Sequence, residues 1–263
     1  MTGTTRMIQP ARLNEIKDLL DRDGAVTVAQ LAKGFNKTPI TIRRDLHILE
    51  KEGFLKRTHG GAFALNTPGN LICSYDERER EHAKEKSVIA KKAAEYIQDG
   101  DSIILSAGTT MHELAIQLRR FKGLHVVTNG VTVVTELAHS RDAQVLMIGG
   151  EVDFKKFGTV GPLAVETMQH IHVSKAFLGV SGISIDQGIS MHSPTEARIN
   201  QCFLKSARET TVVVDSSKFE AHSLFRIAPL NEIHRIITDG NIEPETRRSL
   251  EKFGLELVVV EDQ

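Results

Sequence analysis

Residues 28–51 read VAQLAKGFNKTPITIRRDLHILEK and decide the fold of the first part of the chain. From Val28 to Phe35 the apolar residues recur on one helical face, and Thr27 is placed to cap the start of that helix. A tight polar turn follows, in which Thr38 suits an N-cap and Pro39 the first helical position. Two short helices joined by such a turn are typical of a helix-turn-helix DNA-binding motif.

The flanking segments complete a small domain around this motif. Pro10 to Leu20 carries apolar residues at helical spacing, which predicts an amphipathic helix. Residues 53–65 read GFLKRTHGGAFAL and predict two short strands around a glycine turn. We therefore predict a winged helix-turn-helix domain over residues 1–65.

Charge is distributed unevenly along the 263 residues, although the formal net charge is only −1. Residues 1–64 contain eleven lysines and arginines against seven acids, a surplus of four positive charges. The rest of the chain therefore has a surplus of five negative charges. A basic module joined to a larger acidic one predicts that the first part meets a polyanion such as DNA.

Side chains on the second helix and on the wing are the candidates for contacting double-stranded DNA. The N-terminal end of the second helix enters the major groove in such motifs, where arginine bridges guanine O6 and N7. Wing residues contact phosphate or the minor groove. Alternatively, Arg43 and Arg44 are solvated, one of them paired with Asp45 or Glu50. The predicted DNA-binding residues are Lys37, Thr38, Thr41, Arg43, Arg44, Arg57 and His59.

Helix-like and strand-like segments alternate in the remainder of the chain. This alternation predicts a mostly parallel α/β sheet covered on both faces, with ligands at the carboxyl ends of the strands. We predict a linker over residues 66–85 and a larger effector-binding domain over residues 86–263. The predicted strands are 102–105, 125–128, 144–148, 175–180, 211–214, 235–238 and 256–260, and the predicted helices are 87–97, 110–120, 131–138, 163–171, 194–209 and 244–253.

Several function classes are disfavoured by composition. The two cysteines, Cys73 and Cys202, form neither a disulfide framework nor a zinc pattern, which indicates a reducing, cytoplasmic setting. No apolar run has the length of a signal peptide core or a membrane span. His170 and His172 lack acidic or sulfur companions, so we expect no metal and no cofactor.

The stretch Ser102 to Thr110 runs from a buried strand into a loop of glycine and hydroxyl residues and then a helix. Free N–H groups at a helix start, with the helix dipole and two hydroxyls, suit a phosphate. A P-loop lysine and a GxGxxG pattern are both missing, so a nucleotide is not indicated. Capping alone would produce the same pattern at any strand-to-helix junction.

Other predicted strand ends carry residues suited to a ligand. Glycines at 130, 149, 150, 179 and 182 permit close backbone approach. Residues 215–218 read DSSK and supply a cation with polar neighbours. Glu196 at a helix start suits either sugar hydroxyls or the helix dipole.

These residues resemble DeoR-type bacterial transcriptional regulators, which are usually repressors of sugar catabolism. The N-terminal likeness rests on residues 41–46 (TIRRDL), Leu49-Glu50, Gly53, Arg57 and residues 59–61 (HGG). The likeness of the larger domain rests on residues 108–110 (GTT), Thr128-Asn129, Gly149-Gly150, residues 178–182 (LGVSG), Glu196-Ala197 and residues 215–219 (DSSKF). The motifs occur in the family's order and spacing from about Arg12 to Val260.

The resemblance implies a sensor domain similar to ribose-5-phosphate isomerase and the CoA transferases. It further implies a phosphorylated sugar or related metabolite as effector, and a homodimer or homotetramer that binds paired operator half-sites. The candidate effector residues are Ser106, Gly108, Thr109, Thr110, Thr128, Asn129, Gly149, Gly150, Asp153, Gly179, Glu196, Asp215 and Lys218.

Two positions depart from the family pattern. Ser106 stands where the family commonly has Asp, and Asp153 stands where it commonly has Arg. Because both changes alter the charge of a pocket, our hypothesis is an effector that differs from the common sugar phosphates.

The favoured interpretation is a DNA-binding repressor controlled by a metabolite. A competing interpretation is a sugar-phosphate isomerase or hydrolase with an appended DNA-binding domain, in which Asp215, Lys218 and Glu196 act as acid-base groups. Fold likeness alone confers no activity, so no enzyme is expected. A third interpretation, an activator or dual regulator, differs only in the position of the operator.

Overall fold

The chain forms two compact units, residues 1–73 and residues 74–263. In this computed structural model the described residues are 9–23, 25–52, 54–57, 61–64, 75–140, 142–219, 221 and 223–261.

The first unit is a winged helix-turn-helix, as the sequence predicts. Its strands pair antiparallel in the order β1-β3-β2. The elements are α1 (Gln9–Asp23), β1 (Ala25–Thr27), α2 (Val28–Gly34), α3 (Pro39–Lys51), β2 (Leu55–Arg57) and β3 (Gly61–Ala64).

Both helices of the motif begin at the predicted caps. The Thr27 hydroxyl accepts the Gln30 N–H at 3.2 Å, while the Gln30 side chain accepts the Thr27 N–H at 3.1 Å. Thr38 accepts the Thr41 N–H at 3.3 Å, and Pro39 is the first residue of α3. These bonds satisfy N–H groups that the first helical turn leaves free, so they fix where each helix starts.

An ion pair inside the first unit joins α1 to α3. Arg12 Nε lies 2.7 Å from Asp45 Oδ2 and Arg12 Nη2 lies 3.0 Å from Oδ1, with both side chains buried. The pair borders an apolar core built from one face of each element; its fully buried members include Ile16, Ile42, Leu46, Leu49 and Leu55. The core and the two-bond ion pair hold the orientation of α3.

The second unit is built on a seven-stranded parallel sheet with the order β15-β14-β12-β9-β4-β5-β6. All seven strands predicted from the sequence form this sheet. They are β4 (Ser102–Leu105), β5 (His125–Thr128), β6 (Gln144–Met147), β9 (Val173–Leu178), β12 (Ala207–Val213), β14 (Arg235–Asp239) and β15 (Glu256–Val260).

Helices cover both faces of this sheet. Ile103 and Leu105 pack into one core with helices α5 to α7, and Ile104 between them packs into another with α8 and α9, because successive side chains alternate across a strand. The helices are α4 (Tyr75–Arg80), α5 (Ala83–Ala94), α6 (Thr109–Leu118), α7 (Val131–Leu137), α8 (Pro162–Met168), α9 (Pro194–Ser206) and α10 (Pro244–Glu251).

Two smaller sheets, which the sequence pattern did not predict, complete the second unit. One is the antiparallel hairpin of β7 (Glu151–Asp153) and β8 (Gly158–Val160). The other is the three-stranded sheet β10-β11-β13, formed by Gly182–Ser184, Gly188–Met191 and Phe225–Ala228. These strands have only three or four residues, too few for a clear alternating pattern.

The second unit begins before the predicted boundary at residue 86. The predicted linker contains all of α4 and the start of α5, while residues 65–74 lie outside the described part of the chain. Tyr75 is buried, donates to the Thr132 hydroxyl at 3.0 Å, and packs edge-to-face on Phe157 with ring centroids 5.1 Å apart. These contacts anchor α4. The many charged residues of this segment give no indication of such contacts in the sequence.

Candidate functional site

The exposed face of α3 carries the predicted DNA-contacting side chains. Arg43 and Arg44 are both exposed, and neither forms an ion pair with another described residue. The alternative pairing of these arginines with Asp45 or Glu50 is not seen, because Asp45 binds Arg12 and Glu50 binds Arg57. Both guanidinium groups are therefore available to a nucleic acid.

The other predicted DNA contacts lie around the same helix. Thr38 is exposed, and its hydroxyl lies 3.0 Å from that of Thr41, while Lys37 is half-buried at the turn. Arg57 on the wing is ion-paired with Glu50 at 2.7 Å, which fixes the guanidinium against the end of α3. His59 lies outside the described residues.

In the second unit, a small cavity of about 10 Å³ opens at the carboxyl ends of the central strands. The loop after β4, the β7–β8 hairpin and α9 surround it. It brings together Asn129, Asp153 and Glu196 of the predicted effector residues; the full lining is Ala107, Asn129, Asp153, Lys156, Gly158, Val160, Met191, Glu196, Ile199 and Asn200.

Asn129 braces the cavity wall. Its Oδ1 accepts the Ala107 N–H at 2.9 Å and its Nδ2 donates to the Thr159 carbonyl at 2.8 Å. Gly158 permits the close packing of this wall, since a Cβ there would lie 2.6 Å from the Ala107 Cβ. Thr128, which precedes Asn129, is buried, and its hydroxyl accepts the Gly130 N–H at 2.9 Å. Both polar side chains are used to hold neighbouring loops together.

The start of α6 has the features that an anion site requires. Gly108 is the N-cap, has φ 143°, and provides no side-chain cap. A Cβ at Gly108 would meet no atom within 4 Å, so the space beside it is open. Thr109 and Thr110 are buried and make no side-chain hydrogen bond with another described residue. The first N–H groups of α6 are thus free of side-chain acceptors.

Several predicted effector residues lie outside the cavity lining and make contacts within the fold. The buried Ser106 hydroxyl accepts the Gly179 N–H at 3.0 Å, which joins the ends of β4 and β9. Gly149 and Gly150 are exposed. Gly150 has φ 147°, and a Cβ there would lie 2.4 Å from the Val160 carbonyl oxygen, so the glycine allows the chain to enter the hairpin.

Charged side chains meet across the cavity and beside it. Lys156 Nζ lies 3.8 Å from Glu196 Oε1, and Lys218 Nζ lies 3.9 Å from Asp215 Oδ1. Burial lowers the pKa of Lys156, although the Glu196 carboxylate opposes that shift. Burial raises the pKa of Glu196, although the positive charge of Lys156 opposes that shift. An anion entering here would stabilise the charged form of the lysine.

Further basic residues near this site have no signal in the sequence. Lys86 is buried and donates to the carbonyls of Arg78 and Glu81, and burial lowers its pKa while Asp215 opposes the shift. Arg78 donates to the Lys155 carbonyl in the hairpin turn. Because residues 75–86 alternate acids and bases, their sequence resembles a solvated helix and gives no signal of a site.

The pKa of His192 is shifted by its burial and by nearby cations. Its pKa is lowered to about 4, first by burial and then by Lys156, Lys218 and Arg78. Its Nδ1 lies 3.2 Å from the Ser223 hydroxyl. The imidazole is therefore neutral at pH 7, and the surroundings favour negative charge.

The described part of the chain contains neither a metal site nor a membrane-spanning helix. No group of three or more His, Cys, Asp and Glu side chains is placed there to hold a metal ion. His170 and His172 are both exposed. None of the described helices combines the length and apolar character needed to cross a bilayer.

Comparisons with known proteins match both units. A family model described as the DeoR C terminal sensor domain matches residues 81–240, and one described as a DeoR-like helix-turn-helix domain matches residues 12–67. The lactose phosphotransferase system repressor of Lactococcus lactis subsp. lactis is 35% identical over 250 residues, covering 94% of this chain and 96% of that protein. The glycerol-3-phosphate regulon repressor of Escherichia coli (strain K12) is 30% identical over 238 residues, covering 89% and 92%.

A solved structure of D-ribose-5-phosphate isomerase in complex with phospho-erythronic acid is similar to part of the chain. The identity is 15% and the TM-score 0.39, with 52% of this chain and 54% of that chain covered.

Proposed function

Because the chain belongs to the DeoR family of transcriptional regulators, we propose that it represses a carbohydrate-utilisation operon under the control of a phosphorylated sugar or related metabolite. The relatives reported above are named as repressors, and this chain is a regulator and not an enzyme. The observation that carries the proposal is a capped α3 whose two exposed arginines have no acidic partner among the described residues.

DNA binding uses the N-terminal end of α3 in this proposal. Arg43 and Arg44 read base edges in the major groove, whereas Lys37, Thr38, Thr41, Arg57 and His59 hold the unit on phosphates and the minor groove. The Glu50 carboxylate limits the part that Arg57 plays, since it already neutralises that guanidinium.

The effector binds at the carboxyl ends of the central strands. Its phosphate lies at the uncapped start of α6, where the N–H groups, the Thr109 and Thr110 hydroxyls and the helix dipole favour an anion. Lys156, Lys218 and Arg78 supply the surrounding positive field that lowers the pKa of His192, and Lys86 adds a fourth cation close to Lys218 and Arg78. Gly108 gives the ligand access to the backbone, and Asp153 and Asp215 bind its polar groups or orient the lysines.

Coupling to DNA runs through α4. The hairpin turn after β7 presents Lys156 to the cavity and is held to α4 by the contacts of Arg78 with Lys155 and of Tyr75 with Phe157. A ligand that draws Lys156 away from Glu196 therefore shifts the turn and α4. Release follows only if the two conformations bind DNA with different affinity, and such coupling is usually about 1–3 kcal/mol.

We also propose a cytoplasmic homodimer or homotetramer that binds paired operator half-sites. Helix-turn-helix dimers read two half-sites about one helical turn apart. In the second unit, the edge strand β6 exposes Leu146 (49%) and Met147 (37%), and Phe154 in the hairpin turn is 76% exposed. Apolar side chains on an unpaired sheet edge favour association with another chain.

A two-part binding experiment tests the proposal. Thermal shift first screens the purified protein against sugar phosphates and their unphosphorylated counterparts, since a binder stabilises the folded state. The hits are then added to the protein bound to DNA from upstream of its own gene, and fluorescence anisotropy measures release. We expect phosphorylated hits that are lost in Lys218→Ala and that lower DNA affinity.

A matched control uses Arg247→Ala, which removes a cation that pairs with Glu251 on the exposed face of α10. This variant should bind and release like the wild type. Stabilisation by unphosphorylated compounds alone would contradict the phosphate site, and failure to bind upstream DNA would contradict the repressor.

A further inference from the structure

Asn200 is a polar side chain buried in the cavity lining without a complete set of hydrogen bonds. It is 3% exposed and lies one helical turn after Glu196 on α9. Its Nδ2 donates to the Glu196 backbone carbonyl at 2.9 Å. Its Oδ1 has no hydrogen-bond partner in the described part of the chain.

The orientation of this amide follows from its partner. A backbone carbonyl only accepts hydrogen bonds, so the amide nitrogen must face Glu196 and the oxygen must face the other way. An exchange of the two atoms would place two acceptors 2.9 Å apart. The unpaired atom is therefore an acceptor, and such atoms inside proteins normally have a partner.

The neighbouring groups in the lining have the same preference. Asp153 and Glu196 present carboxylates, which are also acceptors when ionised. Lys156 is the cationic side chain among the lining residues and lies 3.8 Å from Glu196. The acceptors of Asn200, Asp153 and Glu196 thus outnumber the single lysine of the lining, which suits a ligand that brings a hydrogen-bond donor.

We propose that Asn200, Asp153 and Glu196 form a subsite that selects effectors carrying a hydrogen-bond donor, a hydroxyl or an ammonium group, in addition to the phosphate. The inference rests on the proposed function and deepens it. The effector then binds in one direction, with its phosphate at the start of α6 and its donor group at α9. A hydroxyl and an ammonium share this chemistry, and the probes below distinguish them.

Three probes and two variants of the full chain test the subsite by titration calorimetry. Ethyl phosphate carries no donor beyond the phosphate, ribose 5-phosphate adds hydroxyls, and glucosamine 6-phosphate adds hydroxyls and an ammonium group. Asn200→Leu removes the acceptor, whereas Asn200→Asp keeps an acceptor and loses the amide donor. Thr238→Val is the control, because Thr238 Oγ1 is also buried and unpaired among the described atoms but does not line the cavity.

We expect the wild type to bind both sugar phosphates more tightly than ethyl phosphate. In Asn200→Leu, Kd for the sugar phosphates should rise by about tenfold, the size of one lost hydrogen bond, with little change for ethyl phosphate. Asn200→Asp should keep the preference for donors, and most strongly for glucosamine 6-phosphate if the reading group is an ammonium. Thr238→Val should behave like the wild type.

The outcomes separate this inference from the proposed function. Equal affinity of the wild type for all three probes overturns the subsite alone and assigns the Asn200 oxygen to a water molecule. Equal losses in both Asn200 variants also overturn it, because they assign the residue to holding α9 through its Nδ2. If none of the three probes binds, both the subsite and the phosphate site are contradicted.

Discussion

At residue 45 an acidic side chain is buried in a domain with a surplus of positive charge. Asp45 binds Arg12 with both carboxylate oxygens, and both residues are buried. The same aspartate follows Arg43 and Arg44 in the sequence. Because Asp45 is bound to Arg12 inside the domain, it does not pair with Arg43 or Arg44. Both guanidinium groups are therefore available to DNA.

Removing one partner of this pair leaves an uncompensated buried charge. Arg12→Ala should lower the free energy of unfolding of the first unit by about 3–5 kcal/mol, measured by urea denaturation. Glu52→Gln removes the exposed ion pair with Lys17 and should cost less than about 1 kcal/mol. Similar losses in both variants would show that burial does not set the strength of the Arg12 pair.

Arg43 and Arg44 are predicted to read the DNA sequence, whereas the wing residues are predicted to hold the domain on phosphates and the minor groove. Arg43→Ala or Arg44→Ala should weaken operator binding by about 1–3 kcal/mol if that side chain reads a base, with little effect on unrelated DNA. Anisotropy titrations at several salt concentrations measure both quantities. A uniform loss on every DNA sequence, with a salt slope smaller by about one, would reassign the residue to phosphate contact.

The neutral state of His192 predicts a pH dependence of stability. Its pKa in the folded protein is about 4, below the ordinary 6.5, so the unfolded chain binds more protons between these values. The stability contributed by the neutral imidazole is complete above about pH 6.5 and is lost as the pH falls toward 4. His192→Gln should reduce this loss, seen as a smaller decrease of Tm than in the wild type.

His170→Gln is the control, since His170 is exposed on the same unit. Its Tm profile should follow the wild type throughout the window. Parallel profiles for all three proteins would refute the contribution of His192.

At the scale of elements, the sequence predicted what is long and periodic. The seven strands of the parallel sheet and the caps of α2 and α3 follow from apolar runs and from Thr27, Thr38 and Pro39. The sequence pattern does not predict the β7–β8 hairpin, and its entry glycine Gly150, a predicted ligand contact, is required there because a Cβ would lie 2.4 Å from the Val160 carbonyl oxygen. A glycine that admits a ligand and one that admits a neighbouring carbonyl look alike until the fold is known.

The candidate site was predicted less completely for the same reason. Asn129, Asp153 and Glu196 do line one cavity, but Lys156 and Asn200 beside them were missed. Neither has a local sequence signal, since Lys156 lies in a short turn and Asn200 lies within α9. Their chemistry arises from burial and from partners distant in sequence.

Helix α4 is the element whose contacts are predicted to transmit the effector signal. Tyr75→Ala removes the ring from Phe157 and the hydroxyl from Thr132, so α4 loses its anchor. We expect effector affinity to change little, while the ratio of DNA affinities without and with effector falls toward one. Calorimetry and anisotropy on the same preparation measure the two quantities.

Tyr75→Phe keeps the ring contact and removes only the hydroxyl, so it should retain most of the coupling. An unchanged ratio in Tyr75→Ala would exclude α4 as the route.

At the scale of the whole molecule, the two units differ in charge and in the partners they suit. The basic unit meets DNA, and the acidic unit presents a cationic site only locally, around Lys156 and Lys218. A small metabolite entering the acidic unit therefore meets little competition from nucleic acid. This separation of charge favours one ligand class for each unit.

The exposed edge of the large sheet predicts self-association. Leu146→Lys places a charge on β6, where an apolar side chain is 49% exposed, and should shift the protein toward monomers in light scattering. Leu163→Lys, a change at another exposed leucine, is the control for added charge. If both variants keep the wild-type mass, the edge of β6 is not the contact.

The size of the cavity has a consequence for how the molecule carries information. Its volume of about 10 Å³ accommodates roughly one water molecule and is far too small for a sugar phosphate. The proposed effector would therefore bind only when the wall opens, and the turn that bears Lys156 forms part of that wall. The sensor domain therefore needs one shape without the proposed effector and another with it. The volume of the ligand alone is enough to impose that change of conformation.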